Sequence, residues 1–201
     1  MAVSQAPHRR LVLASASPAR RRVLVQAGFA PDVVVSGVDE DIEAISTESL
    51  VRELAERKAG AVAPRCPDTL VLGCDSMLEV DGRARGKPKD ESEVREMWRT
   101  QSGRVGTLWT GHCLIDTARH VRRSAVAQTS VHFGEPDDEE LSAYIASGEP
   151  LGVAGAFTIE GRGAPFVVGI DGDPGNVLGL SMPLLRSLLR ELGVPLTDLW
   201  M

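Results

Sequence analysis

Cysteine and histidine are scarce in this chain, and their spacing argues against the sites that these residues usually build. The 201 residues include three cysteines, Cys66, Cys74 and Cys113, without Cys-x-x-Cys spacing, and four histidines without the spacing of metal ligands. An odd number of cysteines without a signal peptide predicts reduced thiols and a cytoplasmic protein.

Features of several other protein classes are also missing. No apolar stretch is long enough to span a bilayer, and the first ten residues lack the apolar segment of a signal peptide. The formal net charge of −6 argues against binding to a nucleic acid polymer, because the proteins that bind such polymers are usually basic. The P-loop pattern Gly-x-x-x-x-Gly-Lys-[Ser/Thr] is also absent. A small nucleotide is not excluded, because it responds to local charge.

What is present is the pattern of an α/β domain. With 43% hydrophobic and 25% charged residues, the chain suits one domain over residues 1–201, either compact or in two lobes. Apolar runs alternate with segments of helical periodicity, so we predict a mixed α/β fold. The predicted strands are 11–14, 33–36, 69–74, 77–80, 107–116, 122–133 and 166–170, and the predicted helices are 18–27, 47–62, 91–100, 137–147 and 183–192.

Residues 15–22 are the most informative about function. Two hydroxyls, Ser15 and Ser17, precede Pro18 and three arginines where a strand is predicted to pass into a helix. A helix N-terminus offers unpaired N–H groups and a positive dipole, and arginines add charge, so this place suits a phosphate chain. The alternative is that Ser17 caps the helix, Pro18 begins it and the arginines are solvated.

Carboxylates that can hold a metal or activate water follow two predicted strands. Asp75 comes directly after the apolar run 70–74, and ligands gather beyond the carboxyl ends of strands in open α/β sheets. A carboxylate there can hold Mg²⁺ or take a proton from water, and the alternative is a turn at Asp75-Ser76. The acidic run Asp39-Glu40-Asp41 offers a second carboxylate for the metal, or is a solvated loop.

Two lysines are candidates for phosphate contacts. Lys58 falls on the apolar stripe of the helix predicted over 47–62, so it must extend to solvent, pair with a carboxylate or face a cleft. Lys87 lies between Gly86 and Pro88, where it either meets a phosphate as a point charge or is an exposed turn residue.

The order and combination of these features resemble the Maf family over nearly the whole chain. The strings that hold the candidate residues are Ser15-Ala16-Ser17-Pro18-Ala19-Arg20-Arg21, Val38-Asp39-Glu40, Glu56-Arg57-Lys58-Ala59, Gly73-Cys74-Asp75-Ser76 and Gly86-Lys87-Pro88. The resemblance continues through Ser102-Gly103, Thr110-Gly111, Val131-His132-Phe133, Gly148-Glu149-Pro150-Leu151, Ala154-Gly155-Ala156-Phe157 and Val177-Leu178-Gly179-Leu180. Chance can produce one such string, whereas the ordered set indicates the family.

This resemblance implies a fold and a reaction. The expected fold is an elongated mixed sheet with flanking helices, in two lobes around a central cleft, similar to the inosine triphosphatase family. The expected reaction is hydrolysis of a nucleoside triphosphate between its α and β phosphates, which gives a monophosphate and pyrophosphate. A divalent metal cation, Mg²⁺ or Mn²⁺, is the implied cofactor. A homodimer and the clearing of modified or non-canonical nucleotides are further expectations from the family.

The resemblance also implies roles for residues, position by position. Asp75 matches the family's general base or metal-linked carboxylate, and Glu40 matches the acidic residue that helps to hold the metal. The family's phosphate-binding hydroxyls and cations match Ser15, Ser17, Arg20, Lys58 and Lys87. A triphosphate brings about four negative charges, so three cations neutralise most of them and Mg²⁺ can bridge the rest.

Three positions linked to base preference depart from the better-known branches of the family. They are Ala19, Ser76 and Glu160. The dTTP/UTP branch typically has Arg, Thr and Gln there, and the 7-methyl-GTP branch typically has Trp, Gln and Glu, so the resemblance assigns neither specificity. A carboxylate at Glu160 would accept from the N–H edge of a guanine-like base or from the amino group of cytosine, or else it is an exposed loop residue.

Two other functions stay open at this point. One is a nucleotide-binding regulator of cell division with little turnover, against which the presence of both Asp75 and Glu40 argues, because a binder needs no metal pair. The other is a different phosphate enzyme, such as a kinase or a phosphatase. Product analysis separates such an enzyme from a pyrophosphatase. Pyrophosphate with a monophosphate supports the pyrophosphatase, whereas orthophosphate or a phosphorylated acceptor contradicts it.

Overall fold

A computed structural model describes residues 9–201, so the predictions for residues 1–8, which include His8, lie outside the described part. Its strands are β1 (Leu11–Leu13), β2 (Asp32–Val33), β3 (Leu70–Val80), β4 (Arg83–Arg85), β5 (Val105–Asp116), β6 (Val121–Phe133) and β7 (Val167–Asp171). Its helices are α1 (Pro18–Gln26), α2 (Thr47–Val62), α3 (Glu91–Gln101), α4 (Asp138–Ala146), α5 (Pro174–Val177) and α6 (Met182–Glu191). The predicted mixed α/β fold is confirmed.

All seven strands belong to one mixed sheet with the order β2-β1-β3-β5-β6-β7, and β4 pairs with β3. Strands β2, β1 and β3 are parallel, whereas the pairs from β3 through β5 and β6 to β7 are antiparallel. The three central strands contain 11, 12 and 13 residues, so the sheet is elongated along them, as the resemblance implied.

Strand β3 corrects two of the sequence predictions. The predicted strands 69–74 and 77–80 are one strand, so Asp75 lies inside it and neither follows a strand nor forms a turn. The physical reason is pairing with β5, which holds β3 extended from Leu70 to Glu79. A hairpin follows, in which Asp81 and Gly82, with φ of 51° and 72°, join β3 to β4.

The edge of β3 opposite β5 is open at its centre. Strand β1 pairs with Leu70–Leu72 and β4 with Leu78–Val80. Within residues 9–201, no strand pairs with this edge between those two stretches. Asp75 and Ser76 therefore lie at a gap in the sheet, and because side chains alternate along a strand they point to opposite faces.

The two faces of the sheet are covered differently. Helix α2 packs on one face, in a cluster with residues of β1, β3 and β5. Two further clusters occupy the other face, one with α1 and α6 and the other with α3 and α4. The side chain of Asp75 is thus on the α2 face, and that of Ser76 is on the α1 face.

Glycines let α2 approach the sheet closely. A Cβ atom at Gly73 would lie 2.3 Å from the carbonyl oxygen of Ala55, and one at Gly111 would lie 2.0 Å from that of Val51. Such separations are shorter than any van der Waals contact, so no larger residue fits without moving the helix. The contact brings the second half of α2, which carries Lys58, over Asp75.

The predicted and observed bounds agree for the long periodic helix α2 and differ for the shortest elements. Helix α2 begins and ends at the predicted residues, and Ser46 caps its N-terminus. Strand β2 has only two residues instead of the predicted four, and the four-residue helix α5 was not predicted. In the described part of the chain, no helix combines the length and the apolar character needed to cross a membrane.

Replacing Gly73 with alanine should destabilise the protein, because the new methyl group would collide with the backbone of α2. We expect the free energy of unfolding, measured with urea, to fall by about 1–3 kcal/mol. Gly60→Ala is the matched control. Gly60 lies in α2 with no atom within 4 Å of a Cβ, so alanine there should raise stability by about 0.5–1 kcal/mol. Equal effects at the two positions would contradict the packing argument.

Candidate active site

A cleft of about 1480 Å³ opens beside the gap in β3. It is lined by the loop between β1 and α1, residues 35–41, the centre of β3, and segments 84–89, 149–161 and 177–179. The structure brings together in this cleft all the site residues predicted from the sequence: Ser15, Ser17, Ala19, Arg20, Glu40, Lys58, Asp75, Ser76, Lys87 and Glu160.

Lys58 joins the two predicted metal-binding carboxylates. Its Nζ lies 2.5 Å from Asp75 Oδ1 and 2.6 Å from Glu40 Oε1. The side chains of Lys58 and Asp75 are 8% and 6% exposed, whereas that of Glu40 is 57% exposed. Two of the three possibilities predicted for Lys58 therefore occur together: Lys58 pairs with carboxylates, and it lines the cleft.

The second oxygen of Asp75 is available for chemistry. Oδ2 is buried and has no hydrogen-bond partner among the described residues. An unpaired buried carboxylate oxygen is costly, so it indicates a partner such as a water molecule or a cation. Within residues 9–201, no group of three or more His, Cys, Asp or Glu side chains is placed to hold a metal. Any metal here would take its other ligands from substrate and water, as Mg²⁺ often does.

Arg20 is buried and hydrogen-bonded, in contrast to the alternative of solvated arginines. It is 8% exposed, and its guanidinium donates to Gly179 O at 2.9 Å, Ser15 Oγ at 3.1 Å and Ser76 Oγ at 3.0 Å. The capping alternative is also correct, because Ser17 caps α1 and Pro18 begins it. With three of its five N–H groups used, Arg20 keeps donors for a ligand.

The other two arginines of this segment differ from Arg20 and from each other. Arg21 is exposed, whereas Arg22 lines the cleft and forms an ion pair with Glu160 across it. Arg22 follows Ala19 by three residues on α1, so the two share a helix face, and the small Ala19 side chain leaves that face open. Sequence reasoning missed this role of Arg22, because nothing local relates it to Glu160.

Two exposed lysines complete the cleft. Lys87 and Lys89 both line it with exposed side chains. Lys89 was not singled out from the sequence, although it follows Lys87 by two residues. Both lie on the connection after β4, so their long side chains can follow a bound anion.

Burial keeps two neighbouring groups neutral. Burial raises the pKa of the Cys74 thiol to about 12, so this residue next to Asp75 is not a nucleophile. Burial also lowers the pKa of His112 to about 4. Nε2 of the neutral ring accepts from Ser181 N at 2.9 Å, and Nδ1 donates to Thr110 O at 3.0 Å. His112 thereby ties β5 to the start of α6.

His112 should make the protein sensitive to acid. Because its folded pKa of about 4 lies below the unfolded value, protonation favours the unfolded chain, and stability is lost as the pH falls from about 6.5 to 4. We expect the stability advantage of the wild type over His112→Gln to shrink by about 3 kcal/mol between pH 7 and pH 4. Urea unfolding at several pH values measures it. A pH profile of His112→Gln as steep as that of the wild type would contradict this role of His112.

Comparison with known proteins relates the whole chain to one family. The family model described as Maf-like protein matches residues 10–192. A nucleoside triphosphate pyrophosphatase of Streptomyces coelicolor is 59% identical over 199 residues, with 96% of each chain covered. One from Synechocystis is 50% identical and covers 94% of this chain and 97% of its own.

Solved structures are less similar. The Staphylococcus aureus Ham1 protein aligns with 90% of this chain and 91% of its own at 15% identity, with a TM-score of 0.46. That likeness is too slight to support an argument about fold or function, so the expected similarity to the inosine triphosphatase family stays a prediction.

Proposed function

Because the chain belongs to the Maf family, we propose that it is a nucleoside triphosphate pyrophosphatase, which hydrolyses its substrate to a monophosphate and pyrophosphate. The observation that carries the proposal is Asp75, a buried carboxylate with one oxygen held by Lys58 and the other unpaired, in a cleft that also presents Arg20 and Lys87. The names of the relatives at 59% and 50% identity support the same activity.

In the proposed reaction, Asp75 is the general base. A water oxygen attacks the α phosphorus, the bond from that phosphorus to the bridging oxygen breaks, and pyrophosphate leaves. Oδ2 of Asp75 accepts the proton of the water, while Lys58 holds Oδ1 and keeps the carboxylate oriented. This reaction needs positioning and charge stabilisation more than a covalent nucleophile, which agrees with the protonated state of Cys74.

In the proposed complex, the phosphate chain is bound by Arg20, Lys87 and the two serines at the start of α1. Arg20, fixed in place, offers its remaining N–H groups, and the exposed Lys87 adds a second cation. Ser15 and Ser17 form the wall of the cleft at the start of α1, where the helix dipole favours an anion.

A divalent cation fits the carboxylates of this site. Asp75 Oδ2 is unpaired, and the exposed Glu40 shares Lys58 with Asp75. Carboxylate oxygens are the ligands that Mg²⁺ and Mn²⁺ prefer. Asp75 and Glu40 would hold the cation together with phosphate oxygens. When bound, it would neutralise charge on the phosphates.

Replacing Asp75 with asparagine should abolish most of the activity, because the amide cannot take a proton from water. With saturating Mg²⁺ or Mn²⁺, we expect the rate of pyrophosphate release to fall about 10²- to 10⁴-fold, with the unfolding transition checked in parallel. Asp68→Asn is the control, since Asp68 is exposed in a turn with φ of 55°, which asparagine tolerates.

A rate for Asp75→Asn within a few fold of the wild type would contradict the role of Asp75. Orthophosphate or a phosphorylated acceptor as the product would contradict the reaction itself. If the wild type binds nucleotide without turnover, the result would favour the alternative function, a nucleotide-binding regulator of cell division.

Glu160 is the proposed determinant of base preference. It pairs with Arg22 across the cleft, so one carboxylate oxygen remains to accept from an amino group on the base. Ser76, predicted for the same task, accepts a hydrogen bond from Arg20, and its role in base preference stays a prediction. In the proposal, Glu160 selects an amino-bearing base and Ala19 leaves room beside it.

Cytidine and uridine triphosphate test this preference, because their bases differ where one has an amino group and the other an oxygen. We expect Glu160→Gln to lower the ratio of kcat/KM for the cytidine over the uridine substrate about tenfold, the value of one polar contact. Arg22→Gln removes the other half of the same ion pair and should not lower that ratio. If both variants shift the ratio equally, the ion pair and not the carboxylate selects the base.

A nucleoside triphosphate is the proposed small-molecule partner. The single domain over residues 1–201, the homodimer, the cytoplasmic location and the clearing of non-canonical nucleotides stay predictions.

A further inference from the structure

A buried polar network lies beneath Arg20, and the predicted roles do not use it. Thr110 on β5 and Asn176 on α5 are both fully buried. Buried polar groups cost free energy unless they are paired. The pairs that these two residues make lead to Arg20 along two separate paths.

In the first path, the donor and the acceptor of each hydrogen bond can be assigned in only one way. The carbonyl of Asn176 can only accept, so Thr110 Oγ1 donates to it at 3.3 Å. A hydroxyl has one proton, so Ser76 Oγ, 3.0 Å from Thr110 Oγ1, must be the donor between those two. The oxygen of Ser76 is then directed to accept from Arg20 at 3.0 Å.

The second path reaches Arg20 from the other side. The carbonyl of Asn176 also accepts from the backbone N of Gly179 at 2.9 Å, and the carbonyl of Gly179 accepts from Arg20 Nε at 2.9 Å. The side chain of Asn176 is itself fixed, since Nδ2 donates to Leu108 O and Thr129 Oγ1, both at 3.0 Å.

We propose that Thr110 is a positioning residue for the proposed reaction, because its hydroxyl closes a ring of hydrogen bonds that fixes the guanidinium of Arg20. The ring runs from Arg20 through Ser76, Thr110, Asn176 and Gly179 back to Arg20. Hydrogen bonds in such chains strengthen one another, and a donor fixed in advance binds an anion without reorganisation. The inference rests on the proposed function, since it gives Arg20 a phosphate to bind.

The isosteric variant Thr110→Val opens the ring without changing its shape. We expect KM for the nucleotide, and the Kd for inorganic tripolyphosphate measured by calorimetry, to rise about tenfold with kcat changed less, as for loss of uniform binding. Thr110→Ser keeps the hydroxyl and should restore both values to within about twofold of the wild type. Thr107→Val is the matched control, because Thr107 lies on β5 but points to the opposite face.

Hydrogen exchange at Arg20 Nε tests the ring without any assay of activity. That N–H is buried and bonded to Gly179, so it should exchange slowly, and its NMR signal is identified by its loss in Arg20→Lys. We expect exchange to be at least about tenfold faster in Thr110→Val and close to the wild type in Thr110→Ser and Thr107→Val. If Thr110→Val does not fold, Ser76→Ala opens the same ring and should speed exchange in the same direction.

Failure of the inference about Thr110 can be distinguished from failure of the proposed function. Unchanged exchange and unchanged tripolyphosphate binding in Thr110→Val would overturn the inference, as would a Thr110→Ser variant as impaired as Thr110→Val, which would indicate packing and not the hydroxyl. A wild type that releases no pyrophosphate would overturn the proposed function, while the exchange result would still decide the ring.

Discussion

The ion pair between Lys58 and Asp75 is the interaction on which the cleft depends, because it buries two charges that neither residue could bury alone. Nζ and Oδ1 are 2.5 Å apart, and both side chains are less than a tenth exposed. Removing one partner of such a pair typically costs about 3–5 kcal/mol, since the other charge stays buried. The pair forms only if α2 lies against the sheet, and Gly73 and Gly111 permit that contact. The glycines that let α2 pack closely on the sheet are therefore also needed for the ion pair between Lys58 and Asp75.

The open edge of β3 turns one strand into two walls of the cleft. Asp75 faces α2 and Lys58, while Ser76 faces α1 and the anchored Arg20. Pairing with β5 on the other edge fixes the register of both, so the two walls cannot shift relative to each other along the strand. The exposed groups, Glu40 and Lys87, lie on loops. Groups that need fixed positions are thus on regular structure, and those that can follow a substrate are not.

Local patterns in the sequence were enough to predict much of the fold, and together with the resemblance to the Maf family they predicted members of the cleft. Helix α2 was predicted to the residue because its apolar side chains follow helical spacing. The passage of β3 through Asp75 was not predictable, since a polar pair within an apolar run also suits a turn, and only pairing with β5 decides. The contacts of Arg22 with Glu160 and of Thr110 with Asn176 join residues 138 and 66 positions apart, and no local periodicity relates such positions.

The contacts of the cleft cations divide them into two groups that the sequence does not distinguish: cations paired with carboxylates, and a cation held by neutral oxygens. Lys58 contacts two carboxylates and Arg22 contacts one, so their charge is already balanced within the protein. Within residues 9–201, the side chain of Arg20 donates only to neutral oxygens, those of Ser15, Ser76 and Gly179, so no carboxylate there balances its charge. Because a charge in a partly buried site is weakly screened, the unbalanced charge of Arg20 supports its proposed role in binding the phosphate chain. The two carboxylate partners of Lys58 support its proposed role in orienting Asp75.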